Sequence, residues 1–262
     1  MNTALPNCAA YTSTQPPYSS LLFHADGNLL YRTLTELHIL DKDVSSSLKM
    51  SNIVQYHGIG SGSIVAFLLY IGLSIEDIVS LLSQSCVFDT QLSELPMLIK
   101  TIIGDKLLSK FSIIPSLEQL YELLGSNKIL RLYAYNTTTE TVDTISHETC
   151  PDLNCITACM LSYNLGLVYY SQSYCGNTYI DASFEDTSCI SFDVPTLCIH
   201  VVSRYTTTCY PTDSRTYYMQ CAYKLRELVV KAGHNIHIRT VYLTANPWDE
   251  SLAAKLNLMY VT

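Results

Sequence analysis

Three glycines in five residues, Gly58, Gly60 and Gly62, follow a β-prone segment, Asn52–His57, and run through Ser63 into the apolar stretch Ile64–Leu73. A strand that turns over glycines into an apolar helix is a narrow structural prescription. The helix must start within a residue or two of the strand's end, and the turn must be small enough for the two elements to touch. Such a turn serves two chemistries. A nucleophile elbow of the form G-x-S-x-G carries a serine at its apex, whereas a phosphate-cradling loop presents backbone N–H groups at the helix start. Position 60 separates them. Gly58 and Gly62 flank the apex as an elbow requires, but the apex itself is Gly60 and carries no oxygen.

The rest of the chain alternates strand and helix signals. Leu21–His24 reads as a strand ending at Asp26-Gly27-Asn28, and Leu30, Leu34, Leu37 and Leu40 recur at helical spacing over residues 29–40. After the glycine turn a helix is expected over residues 63–73. Ser74 and Asp77 form the two ends of a capping box that opens another helix through Leu82. Residues 90–124 read as helical, with the amphipathic segment Ser116–Leu124 stopped by Gly125. Strands are expected at Ile129–Asn136 and Thr141–Ser146, and a helix at Leu153–Leu161. A small hairpin is expected from Leu167–Tyr170 and Thr178–Asp181. A strand at Leu197–Val202, a helix at Tyr217–Ala232, a strand at Ile236–Thr244 and a helix at Pro247–Leu256 complete the pattern. It predicts one α/β domain with a mostly parallel central sheet flanked by helices, over residues 20–262. Residues 1–19, rich in Thr, Ser, Pro and Gln, read as a flexible leader.

Composition narrows the function classes. Hydrophobic residues make up 48% of the 262 and charged residues 15%, enough apolar material for a sizeable core. A net charge of −8 argues against binding the phosphates of nucleic acid. The N-terminus lacks the basic start and apolar core of a signal peptide. The apolar run Ile64–Leu73 has half the roughly 20 residues that span a bilayer. These features lead us to expect a soluble intracellular protein, cytoplasmic by default, with peripheral contact at a membrane left open. The ten cysteines are scattered. Cys150, Cys155 and Cys159 are the closest group, and their spacing matches no strong zinc pattern. No metal and no cofactor is expected.

Taken in order, these features resemble a patatin-like phospholipase domain from about residue 20 to the end. The strand Leu21–His24 with Ala25-Asp26-Gly27 lies where members carry a strand and a glycine-rich oxyanion loop. Gly58–Gly72 lies where they carry G-x-S-x-G-S and a long apolar helix, and Leu73–Ile78 where the next helix starts. Leu130–Asn136 resembles the strand before the family's Asp/Thr-rich hairpin, and Thr178-Tyr179-Ile180-Asp181-Ala182-Ser183 the segment bearing Asp-Gly-Gly or Asp-Gly-Ala. The resemblance implies a serine–aspartate dyad for acyl transfer, with glycine amides holding the oxyanion. Matched position by position, the aspartate falls on Asp181. The serine falls on Gly60, the glycine after the aspartate on Ala182, and the oxyanion loop on Phe23 to Gly27, where only Gly27 is a glycine.

The resemblance therefore implies the scaffold without its nucleophile, a pseudoenzyme that binds lipid, a fatty-acyl ligand or a protein partner. The alternative is an active lipid acyl hydrolase using Asp181 with a substitute nucleophile. Ser61 is the candidate, although one residue past the apex its side chain should point away from the cleft; Ser63 is expected to cap or pack. Two rivals are weaker. A dinucleotide loop over Gly58, Gly60 and Ser63 needs an acidic residue ending a strand about 20 residues on, whereas Glu76 and Asp77 open a helix. A cysteine–histidine pair, His147 and Cys150, rests on proximity in sequence alone.

Overall fold

The computed structural model describes residues 17–25, 30–44, 46–85, 94–164, 172–182, 190–203 and 236–243, with backbone alone at 25, 30–32, 200–203 and 236–243. Its elements run β1 (Ser20–Ala25), α1 (Leu30–Lys42), β2 (Gln55–Gly60), α2 (Gly62–Tyr70), α3 (Ile75–Gln84), α4 (Leu95–Phe111) and α5 (Leu117–Leu123). Then follow β3 (Ile129–Asn136), β4 (Thr141–Ile145), α6 (Cys155–Tyr163), β5 (Gln172–Tyr174), β6 (Asn177–Asp181), β7 (Thr196–Ser203) and β8 (Ile236–Leu243). One sheet joins the strands in the order β5-β6-β3-β2-β1-β7-β8, with β4 also on β3. The pairs β3–β2, β2–β1, β1–β7 and β7–β8 are parallel, while β4, β5 and β6 pair antiparallel.

Alternation along the strands sets the two faces. Leu21 and Phe23 of β1, Leu130, Leu132 and Ala134 of β3, and Leu197 and Ile199 of β7 join one large core with the helices. The residues between them, Leu22, Ile59, Tyr133 and Cys198, form a second, smaller cluster with Ala182, Ile190 and Phe192. Helix α2 lies at the centre of the large core and every one of its residues is buried. That explains its all-round hydrophobicity, since a helix with no solvent face needs no polar stripe. Each large side chain it buries contributes roughly 1.5–3 kcal/mol.

Local signals place most of the helix ends. The Ser74–Asp77 capping box is present on α3, and a second box, Ser116 with Gln119, opens α5. Asn154 caps α6 by accepting from the Ile156 and Thr157 amides. Gly72 (φ +89°) and Gly125 (φ +83°) take up the left-handed conformations that follow α2 and α5.

Several boundaries differ from expectation. Strand β2 runs through the glycines to Gly60 rather than stopping at His57, because it pairs with β3 as far as Ile59 and with β1 as far as Gly60. Within the expected helical stretch 90–124 the described residues form two helices, α4 and α5, broken where Ser112 adopts φ +61°. The partner of β6 is Gln172–Tyr174, joined by the tight turn Cys175-Gly176, in which both residues have positive φ. Leu167–Tyr170 and the helices expected at 217–232 and 247–256 lie outside the described residues. Before β1, Tyr18 is buried and the Ser19 amide donates to the Pro195 carbonyl.

Candidate functional site

Strand β3 brings the two ends of the site together. Its residues 132–136 pair with β4, so that edge is occupied. Its other edge is shared by two strands in succession. β2 pairs along residues 129–133, ending with Ile59 opposite Tyr133, and β6 pairs along 134–136, with Asp181 opposite Ala134. The C-terminal ends of β2 and β6 therefore meet, and Gly60 and Asp181 lie side by side although 121 positions apart in sequence. An ideal Cβ built on Gly60 would stand 2.5 Å from Asp181 Oδ2 and 2.9 Å from Oδ1. The Gly60 Cα is one further bond, about 1.5 Å, away. The Asp181 carboxylate thus fills the space that a side chain at the apex would need. Asp181 is 1% exposed.

All three glycines have a steric reason. Gly60 has φ +58°, a left-handed conformation that glycine adopts without penalty. A Cβ on Gly58 would lie 2.4 Å from the Ser63 Cα, and one on Gly62 would lie 2.2 Å from the Phe23 carbonyl oxygen. Helix α2 starts this close to β1 and β2 only because neither residue has a side chain. Ser63, fully buried, donates from Oγ to the Gly60 carbonyl at 2.6 Å and ties the turn to the first helical residues. Ser61 is the N-cap position of α2, in right-handed helical conformation (φ −63°, ψ −22°), and is buried.

On the far side of Asp181, its backbone N–H donates to the Asn164 carbonyl at 2.6 Å. The Asn164 side chain donates from Nδ2 to the Tyr179 carbonyl at 2.7 Å, which turns Oδ1 away from that partner. Among the described residues, Asn164 Oδ1 is buried without a hydrogen bond. Asn164 lies just past α6 with no motif around it, so nothing in the sequence singled it out. Ala25 ends β1 opposite Gly60, and His24 before it is buried. Asp26 and Gly27 lie outside the described residues.

A second buried polar group sits on the opposite face of β2. His57 contacts the Tyr133 hydroxyl through Nδ1 at 2.7 Å and Gln55 Oε1 through Nε2 at 3.3 Å, with Phe192 edge-on to its ring. Burial, aided by the positive charge of Arg131, pushes its pKa down to about 3. The ring is neutral and structural, fixed between partners.

The residues of the rival readings lie elsewhere. Glu76 pairs with His38 at 3.2 Å and Lys42 at 3.6 Å, and Asp77 is engaged in the capping box, both at the start of α3. His147 stacks on Tyr121, with ring centroids 3.8 Å apart. Burial pushes the Cys150 thiol up rather than toward a reactive thiolate. Burial likewise raises Cys155, to about 12, and holds Cys159 well above the usual thiol range. Among the described residues, no three His, Cys, Asp or Glu side chains converge as metal ligands, and no helix is long and apolar enough to cross a membrane.

No protein-family model and no curated protein matches the chain. Solved structures do. VipD from Legionella pneumophila superposes with a TM-score of 0.51 at 15% identity, over 92% of this chain and 65% of that one. The type III effector protein ExoU gives 0.45 at 11%, over 94% of this chain and 52% of that one. ExoU is also matched in its complex with SpcU from the type III secretion system of Pseudomonas aeruginosa, with a TM-score of 0.43 at 14% identity. The chain thus spans between half and two thirds of these proteins. At such identities the likeness is one of fold. That fold is a patatin-like α/β domain, with a mixed, mostly parallel sheet flanked by helices.

Proposed function

We propose that this chain is a patatin-like domain without acyl-transfer activity, which works by binding. One observation carries the reading. The apex of the elbow is Gly60, and the Asp181 carboxylate packs into the volume a serine Cβ would occupy. Glycine offers no nucleophile for an acyl-enzyme, and deleting the nucleophile of a comparable hydrolase costs about 10⁶ in turnover. The nearby hydroxyls do not replace it. Ser63 is committed to the Gly60 carbonyl, and Ser61 is a buried residue at the helix start. His24 and Ala25 stand in place of oxyanion-loop glycines, and their side chains narrow the backbone conformations in which the loop's amides could face an oxyanion.

The ligand in this reading is a lipid, a fatty-acyl chain or a protein partner held by the inherited cleft, with no cofactor. An intracellular, reducing location fits the free thiols of Cys150, Cys155, Cys159, Cys175 and Cys198. The test is labelling of the purified chain with a serine-directed fluorophosphonate beside an assay on aryl esters and phospholipids. No label and no turnover above a boiled control are expected. Stoichiometric label on Ser61 would replace this reading with that of an active lipid acyl hydrolase using Asp181 and a displaced serine.

A further inference from the structure

We draw no further inference here: the strongest candidate, the side-chain cluster of Asn164 and Asp181 at the end of α6, where Asn164 Oδ1 is buried without a hydrogen bond among the described residues, belongs to the site already described.

Discussion

Adding one methyl group at Gly60 tests the packing of the site directly. Gly60→Ala meets two separate penalties. The first is conformational, because the backbone sits at φ +58° and an L-residue there costs about 1–2 kcal/mol. The second is steric, because the new Cβ would stand 2.5 Å from Asp181 Oδ2 and 3.0 Å from its Cγ. The carboxylate must move, and it is buried; overpacking of this kind costs about 1–3 kcal/mol. The single variant should therefore lose about 2–5 kcal/mol. Only the second penalty depends on Asp181. In an Asp181→Ala background the cost of Gly60→Ala should fall to the conformational part, about 1–2 kcal/mol. The four proteins of the cycle can be compared by urea unfolding, provided their m values agree. A coupling energy of about 1–3 kcal/mol is expected. If Gly60→Ala costs the same in both backgrounds to within about 0.5 kcal/mol, the two sites are independent and the carboxylate does not occupy the apex.

On the proposed reading Gly60→Ser should give little or no ester hydrolysis, since that reading puts His24 and Ala25 where an oxyanion loop has glycines; robust turnover from that single change would refute this. Gly58→Ala and Gly62→Ala put a Cβ 2.4 and 2.2 Å from backbone atoms that cannot swing aside, so both should prevent folding. Gly176→Ala meets open space and pays only for its positive φ, about 1 kcal/mol; similar melting temperatures for all three would overturn the steric account. His57, with a pKa near 3 when folded against 6.5 unfolded, remains neutral in the folded chain while the unfolded chain takes up a proton. Its burial therefore costs nothing above pH 6.5 and removes about 1.4 kcal/mol of stability per pH unit as pH falls toward 3. His57→Gln should flatten the stability profile between pH 6 and 4, and an unchanged slope would show that the histidine titrates normally. Asn154→Ala should cost about 1 kcal/mol by uncapping α6, measured as a shift in the urea midpoint.

The parts of this fold legible in the sequence are those governed by a few neighbouring residues. The Ser74–Asp77 box and Gly125 at the end of α5 are local devices, and both lie where their spacing puts them. The sequence predicts an end to β2 at His57 because glycine is a poor strand former. Pairing to β3 as far as Ile59 and to β1 as far as Gly60, a tertiary effect, carries the strand through the glycines. The break at Ser112 has no residue signature, since serine seldom adopts the left-handed conformation it holds there. The strand expected at Leu167–Tyr170 lies outside the described residues, and within them β6 pairs with Gln172-Ser173-Tyr174, a polar triplet that does not look like a strand. The turn at Cys175-Gly176 decides the matter, and cysteine is not a residue that announces such a turn. The apposition of Gly60 and Asp181 is the least local feature. It depends on two strands sharing one edge of β3, which no spacing rule reports, and only the ordered resemblance to a known family suggested it.

That apposition also changes what the glycine pattern means. Gly58 and Gly62 are required here because α2 starts against the backbone of β1 and β2, whatever the chemistry at the apex. A G-x-X-x-G frame is therefore a statement about packing between β1, β2 and α2, and its presence here carries no information about turnover. The chemical information resides in the single residue between the flanking glycines, and in what lies opposite it. Here that residue is a glycine, whose left-handed backbone holds the turn without strain, and opposite it lies a buried carboxylate packed against the bare Cα. Turn and carboxylate fit each other with the hydroxyl left out. For that reason restoring the hydroxyl is expected to disturb the site before it could activate it.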